Sequence, residues 1–389
     1  MKIAIITTSR ADYGIYASLL DQCAADPEVS YGLVVSGTHL SAEHGMTVAA
    51  IIADGHPIWG RVESVPTQDD SASIAAITGL AMTRFAEVWS GLSDTLDVVV
   101  CLGDRYEMFA AVAATVPFNL PVAHLHGGET TLGAIDDKYR HAISALSTLH
   151  FTATEAYAER VRMSVGRRTG VFAVGAPSLD GFADLDLPSL PEMQVRFGID
   201  FSVPTILVTI HPETVNLAAN PNLASCVRAA FPLLTANYQI VITLPNADTE
   251  GAKLRQVMLE LARKEERITA IESFGKMGYF AAMKYCAFLL GNTSSGLLEA
   301  PSFGKYAINV GSRQAGRARG GNVIDVDITA PALLEGVNAV ELRGFNYDGG
   351  NPYVQTGRAA QQIKQQLKAW QEARTQAPAP DEGGAQQTH

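Results

Sequence analysis

Apolar residues in this chain fall into short continuous runs, separated by longer stretches with helical spacing. Lys2–Thr7 (KIAIIT) reads as a buried strand, and Gly14–Cys23 as the helix that follows it. Tyr31–Ser36 (YGLVVS) is a second strand, Ser73–Leu92 a long helix, and Asp97–Leu102 (DVVVCL) the clearest strand of all. Pro121–Leu125, His150–Thr154 and Gly170–Val174 continue the series. Strands that are apolar throughout, rather than alternating, predict a parallel sheet covered on both faces.

The pattern then restarts. Thr205–Ile210 (TILVTI), Gln239–Leu244 (QIVITL), Ile268–Glu272, Ala287–Leu290 and Tyr306–Val310 read as strands with helical segments between them. Two successive βα series predict an α/β protein of two Rossmann-like domains. The expected division is residues 1–180 for the first domain, 181–354 for a nucleotide-binding second domain, a helix over 355–375 and a disordered tail over 376–389. The hinge is expected within Gly175–Pro204, which holds four prolines and no strong period. The final helix can pack back on the first domain. A length of 389 residues fits two hydrophobic cores better than one.

Composition narrows the function. Hydrophobic residues make up 47% and charged residues 18%, an ordinary globular balance. The formal net charge of −11 argues against nucleic-acid binding, which needs a basic field. A few arginines and helix starts in a cleft still suit a small diphosphate. Cys23, Cys101, Cys226 and Cys286 share no CxxC spacing and lie among apolar residues, as buried thiols do. The opening MKIAIITTSR lacks a cleavable signal pattern, and no apolar run reaches the roughly 20 residues of a membrane span. The expectation is a cytoplasmic protein without membrane or nucleic-acid partners. No GxGxxG follows the first strand, and no P-loop or GxSxG elbow occurs, so no dinucleotide cofactor or ATPase chemistry is indicated.

In open parallel sheets, ligands bind beyond the carboxyl ends of the strands. The informative polar residues of this chain gather there. After the first strand come Arg10 and Asp12, which either meet a ligand or, for Asp12, cap the next helix. His39 ends the second strand, as a sugar contact or a turn residue. Asp104 and Arg105 follow DVVVCL, as an acid–base group with a phosphate ligand or as a structural ion pair. His124–Asp137 (HLHGGETTLGAIDD) offers His124 and His126 two apart on a strand, glycines for close backbone approach, Glu129 and the pair Asp136 and Asp137. No third metal ligand is clearly spaced, so acid–base work is favoured over a metal. Asp136 and Asp137 also suit a helix N-terminus.

The second half supplies a different set. His211 follows TILVTI, Asn246 follows QIVITL, and Thr293, Ser294, Ser295 and Glu299 lie in GNTSSGLLE. Hydroxyls and N–H groups at a helix start suit a diphosphate, with Glu299 one turn in for the ribose. Arg313, Arg317 and Arg319 follow the next strand; the last two either close over phosphates or form a solvated loop.

Together SRADYG, LGDRYE, HLHGGE, IHPET, PNADT, GNTSSGLLEAPSFG and NVGSRQAGRARGGNVIDV resemble, in this order, the hydrolysing UDP-N-acetylglucosamine 2-epimerases that make N-acetylmannosamine for sialic acid synthesis. The resemblance runs from about Lys2 to about Tyr353. It implies two Rossmann-like domains in the glycosyltransferase-B arrangement, with the active site in the cleft between them, and a homodimer or higher homo-oligomer. It implies nucleotide contacts from Arg10, Arg105, His211, Asn246, Thr293, Ser294, Glu299 and Arg313, and acidic positions near the sugar at Asp12, Asp104, Glu129 and Asp136. Related epimerases carry a glutamate where this chain has His126, so His126 or a neighbouring carboxylate takes the role of base. The implied reaction is loss of the diphosphate to a glycal, followed by hydration. Close relatives act on UDP- or GDP-linked di-N-acetylbacillosamine for legionaminic acid. A transferase on the same fold, or a sugar-nucleotide sensor without catalysis, are the competing classes.

Overall fold

A computed structural model describes residues 1–43, 45–66, 70–130, 135–213, 220–244 and 251–376. Its strands form two parallel sheets. The first holds β1 (Lys2–Thr7), β2 (Ser30–Ser36), β3 (Ile58–Val62), β4 (Val98–Leu102), β5 (Val122–Leu125), β6 (Leu149–Thr152) and β7 (Val171–Ala173), in the order β3-β2-β1-β4-β5-β6-β7. The second holds β8 (Thr205–Thr209), β9 (Gln239–Thr243), β10 (Ile268–Ile271), β11 (Phe288–Gly291), β12 (Ala307–Val310) and β13 (Val323–Val326), in the order β10-β9-β8-β11-β12-β13. Strand order reverses between β1 and β4, and again between β8 and β11. Each reversal sends successive helices to opposite faces and opens a crevice at the carboxyl edge.

The continuous apolar strands are explained by what covers them. On one face of the first sheet, Ile3, Ile5, Val98 and Val100 pack against Leu19, Leu20 and Cys23 of the helix Arg10–Ala24 and against Ile363 and Leu367 of the helix Ala359–Gln376. On the other face, Ile6, Val99 and Val122 meet Phe85 and Trp89 of the helix Ser71–Leu92. The second sheet is sandwiched likewise, with the helices Asn220–Leu234 and Ala330–Arg343 on one side and Gly275–Tyr285 on the other. All four cysteines are free and buried. No helix among the described residues is long and apolar enough to cross a membrane.

Two strands, β3 and β13, were not anticipated. Both are sheet edges, and both are only half-buried and carry a charge, Arg61 or Asp325. An edge strand meets solvent along one side, so it lacks the unbroken apolar run that marks a central strand. The first helix starts four residues earlier than its periodicity indicates. Ser9 and Asp12 form a reciprocal capping box, which draws Arg10–Tyr13 into the helix.

The chain passes between the two sheets twice. The first passage follows β7 through short turns and the helix Leu190–Phe197. The second follows Asn351, whose amide donates to Leu298 O at 2.7 Å, and leads into Ala359–Gln376. That helix returns to the first sheet: Asp180 accepts the N–H groups of Ala359 and Ala360 at 2.6 and 2.7 Å, and Lys364 pairs with Asp26 at 3.1 Å. The two passages touch, since Ala176 N–H donates to Tyr353 O at 3.1 Å. Of the expected tail, Gln376 ends this helix and the remainder lies outside the described residues.

Candidate active site

The carboxyl edge of the first sheet builds a chain of paired charges. β4 is followed by Gly103, with φ +79, and the turn presents Asp104. β5 ends just before His126, which has φ +61, and Glu129 follows three residues later. Between them stands Arg140 from the helix Asp136–Leu146, only 2% exposed. Its guanidinium pairs with Asp104, reaches Glu129 Oε2 at 3.1 Å and donates to His126 O at 3.3 Å. His126 Nδ1 lies 2.6 Å from Glu129 Oε1. Its Nε2 is buried and has no hydrogen-bond partner among the described residues.

These neighbours set the protonation states. Burial alone would raise the Asp104 carboxyl, but the Arg140 and Arg317 guanidiniums outweigh it and hold it below the ordinary carboxylate range. Burial would also raise Glu129, yet His126, Arg317 and Arg140 together hold it well below its usual value. Asp136 goes the other way. Burial, and then the like charge of Asp104, push it up from 3.8 to about 6. One carboxyl of the cluster is therefore poised near neutrality while two stay ionised, an arrangement suited to acid–base work.

Arg105 projects from the same turn and is clamped from behind by Glu107, with Nε–Oε2 at 3.1 Å and Nη2–Oε1 at 2.9 Å. Glu107 is fully buried. It was not singled out in the sequence, although a glutamate in the apolar helix Tyr106–Ala113 is a signal. Arg140 was missed too; an arginine four residues after Asp136, in line with buried Ile143, marks it in retrospect.

Several expectations change on the structure. Asp12 does not join the cluster. One oxygen accepts from Thr8 N at 2.7 Å, the other from Ser9 N and Tyr13 N at 2.8 Å, so the carboxylate is saturated as a helix cap. It steadies His39, whose Nε2 meets Thr7 Oγ1 at 2.9 Å and whose Nδ1 meets Thr47 Oγ1 at 2.7 Å. Arg10 is exposed at the start of that helix and forms no hydrogen bond or ion pair with a described residue. His126 lies beyond the end of β5, in a left-handed turn, while His124 is on the strand and locked by Ser144 Oγ at 3.0 Å and Gly103 O at 2.8 Å. Gly128, with φ +76, makes its close approach to the protein itself: a Cβ there would lie 2.4 Å from Tyr157 O. Among the described residues no group of three or more His, Cys, Asp or Glu side chains is arranged to hold a metal.

The carboxyl edge of the second sheet mixes amides and hydroxyls with the charged residues Glu213, Glu299 and Arg313. Asn292, after β11, accepts from His211 N at 2.7 Å and donates to His211 O at 2.8 Å, which ties the β8 and β11 loops together. Buried Glu213 accepts from Ser312 N at 3.1 Å and so braces the loop that carries Arg313. Thr293, Ser294 and Ser295 lead into a helix of only four residues, Ser295–Leu298. Glu299 therefore caps its end instead of lying within it. Pro301, which lacks an N–H, accounts for the early stop. Asn246 lies outside the described residues.

Contacts among the described residues join the two edges. Arg317 Nη2 reaches Glu129 Oε2 at 3.6 Å. Glu299 Oε1 accepts from Ser178 Oγ at 3.2 Å, while its Oε2 is buried without a partner among the described residues. Tyr157 OH receives Ala318 N–H at 2.5 Å. Arg319 turns away and pairs with Asp325, as a solvated loop would.

Comparisons with known proteins extend this picture. Residues 21–368 match the family model described as UDP-N-acetylglucosamine 2-epimerase. The chain is 38% identical over 338 residues to the UDP-N,N'-diacetylbacillosamine 2-epimerase (hydrolyzing) of Legionella pneumophila, spanning 86% of this chain and 88% of that one. It is 30% identical over 369 residues to the UDP-N-acetylglucosamine 2-epimerase of Neisseria meningitidis, spanning 93% and 94%. The crystal structure of UDP-GlcNAc 2-epimerase from Neisseria meningitidis bound to UDP-GlcNAc superposes with a TM-score of 0.80 at 18% identity, covering 95% of this chain and 100% of that chain. The two facing parallel sheets thus follow the glycosyltransferase-B arrangement. With its motifs in order along both carboxyl edges and a family match over most of its length, the chain belongs to the UDP-N-acetylglucosamine 2-epimerase family.

Proposed function

We propose that this protein is a hydrolysing 2-epimerase that converts UDP-N-acetylglucosamine to N-acetylmannosamine and UDP. The observation that carries the reading is the acid–base cluster of buried His126 and Glu129 with half-buried Asp104 and Asp136 on one side of the cleft, facing a polar edge on the other. Epimerisation at C2 needs a proton removed and another returned. A group poised near pH 6 beside ionised carboxylates and a histidine fits that demand. The departing diphosphate needs positive charge and N–H dipoles. Arg10, Arg105 and Arg313, with the hydroxyls of Thr293–Ser295, are assigned that role. Glu299, buried with one oxygen unpartnered, is assigned to the ribose hydroxyls, and His211 and Asn246 to the nucleotide. The same reading includes a cytoplasmic homo-oligomer.

A second substrate, UDP-N,N'-diacetylbacillosamine, is favoured by the 38% identical Legionella relative that bears that activity in its name. The test follows both sugar nucleotides in heavy water by proton NMR. Release of UDP together with a 2-epimer deuterated at C2 supports the reading and names the substrate. UDP released with unchanged configuration points to a simple hydrolase. Transfer only when an acceptor sugar is added points to a transferase.

A further inference from the structure

The cluster contains four titratable groups, and its geometry separates their tasks. Resting on the 2-epimerase reading above, we propose that His126 Nε2 is the atom that takes the C2 proton, and that Glu129 is a positioning residue that holds the ring through Nδ1.

His126 is 7% exposed, and its two ring nitrogens have unlike surroundings. Nδ1 is bound to Glu129 Oε1 at 2.6 Å. Nε2 is buried and meets no described protein group. A buried, unpartnered ring nitrogen is costly unless something else fills its valence, so it marks the place of a ligand atom. The backbone is committed to this pose. A non-glycine residue at φ +61 adopts a disfavoured left-handed conformation. It is pinned there by His126 N–H on Phe151 O at 2.9 Å and by Arg140 on His126 O at 3.3 Å.

Glu129 is unsuited to carrying a proton itself. Arg140 lies 3.1 Å and Arg317 3.6 Å from its Oε2, and both favour the ionised form. An ionised Glu129 accepts a hydrogen carried on Nδ1, which puts the ring's lone pair on Nε2. It then stabilises the imidazolium formed when Nε2 is protonated. The carboxylate of a Ser-His-Asp triad treats its histidine in the same way. Arg317 comes from the second half of the chain, so this orientation is complete only when the two halves meet.

The step balances without any co-reactant but water. The Nε2 lone pair takes the C2 proton, the C2–H electrons form the C1=C2 bond, and the C1–O bond to the diphosphate breaks with its pair going to oxygen. A second group must return a proton to C2 from the opposite face, and Asp136, separate from the His126–Glu129 pair, is assigned to it. Protonation at C2 leaves C1 to accept the oxygen of water, whose proton restores Asp136. The imidazolium gives its proton to solvent.

The test joins a structural readout to a kinetic one, using full-length protein. In protein labelled with 15N-histidine, the His126 signal, identified by its loss in His126→Gln, is expected as the Nδ1–H tautomer, and in Glu129→Ala it should shift away from it. An Nε2–H tautomer in the wild type overturns the proposal. In heavy water, His126→Gln should lose turnover and C2 deuterium incorporation by about 10²–10⁴-fold. Glu129→Ala should lose less, and Glu129→Asp should recover part of that loss; a cooperative unfolding transition above the assay temperature and UDP affinity near wild type are the check on folding, since loss of Glu129 also removes a partner of buried Arg140. A His126→Gln enzyme within tenfold of wild type overturns the proposal. If the wild type turns over neither sugar nucleotide, the substrate reading fails, and the tautomer measurement still decides the pairing.

Discussion

The two carboxyl edges that face each other are made of different materials. On the first sheet the site is a run of paired charges, Asp104–Arg140–Glu129, with Arg105–Glu107 beside it and Arg317 reaching Glu129 from the second half. On the second sheet it is held by amides and hydroxyls, with Asn292 clasping His211 and with Gln314 donating to Asn292 O at 2.8 Å. Paired charges make protonation states sharply dependent on their neighbours. Neutral hydrogen bonds fix geometry without setting a protonation state. In the function proposed above, the first half moves protons and the second holds the nucleotide.

That contrast can be broken most forcefully at Arg140. Replacing it with Leu removes the main counter-charge of half-buried Asp104 and one of those of buried Glu129, and the expected loss is about 2–4 kcal/mol in urea unfolding. A loss below about 1 kcal/mol would mean that the run is not a structural unit. Asp104→Asn comes next on the catalytic side. Turnover should fall by about 10²–10⁴-fold while UDP affinity stays near wild type, read by kinetics and calorimetry. Near-full activity would remove it from the acid–base set.

Asp136 sharpens the comparison through pH. Its folded value of about 6 lies above the ordinary 3.8, so between those values the folded state keeps a proton that the unfolded chain has lost. Stability from this group is present below about pH 4 and is lost as pH rises through 6, by on the order of 1–3 kcal/mol. Asp136→Asn should remove that fall, seen as a wild-type minus variant difference that changes between pH 4 and pH 6.5. A constant difference would put the raised value in doubt. On the second edge, Glu299→Ala should weaken UDP binding about tenfold, or about 1.4 kcal/mol, with the Asp136-dependent pH profile unchanged. The smallest effect is expected at Asp12→Ala, a lost cap costing about 1 kcal/mol of stability, where a larger loss of turnover than of stability would return Asp12 to the site.

How much of this could be read from sequence differs by the kind of signal. Central strands announce themselves because both faces are buried, so the βα series and both carboxyl edges were legible. The edge strands β3 and β13 were not, because solvent on one side admits Arg61 and Asp325. Candidate residues were found by their position after strands, but their partners were not. Arg140 meets Asp104 across 36 residues of chain, and no local pattern encodes that meeting. Asp12 shows the reverse problem, since Ser9-x-x-Asp12 is a complete capping signal that also looks like a ligand site.

The point where Ala176 meets Tyr353 has a mechanical consequence. A body joined to another by one tether can swivel freely, whereas two adjacent tethers act as a single pivot with few ways to turn. Rotation about such a pivot displaces each group in proportion to its lever arm, so contacts far from it travel furthest for a given angle. Gly175, at φ +90 and with Tyr353 O 3.3 Å from where a Cβ would stand, leaves little room for bulk at that pivot. A side chain there would press on both tethers at once and bias the angle at which the two halves come to rest.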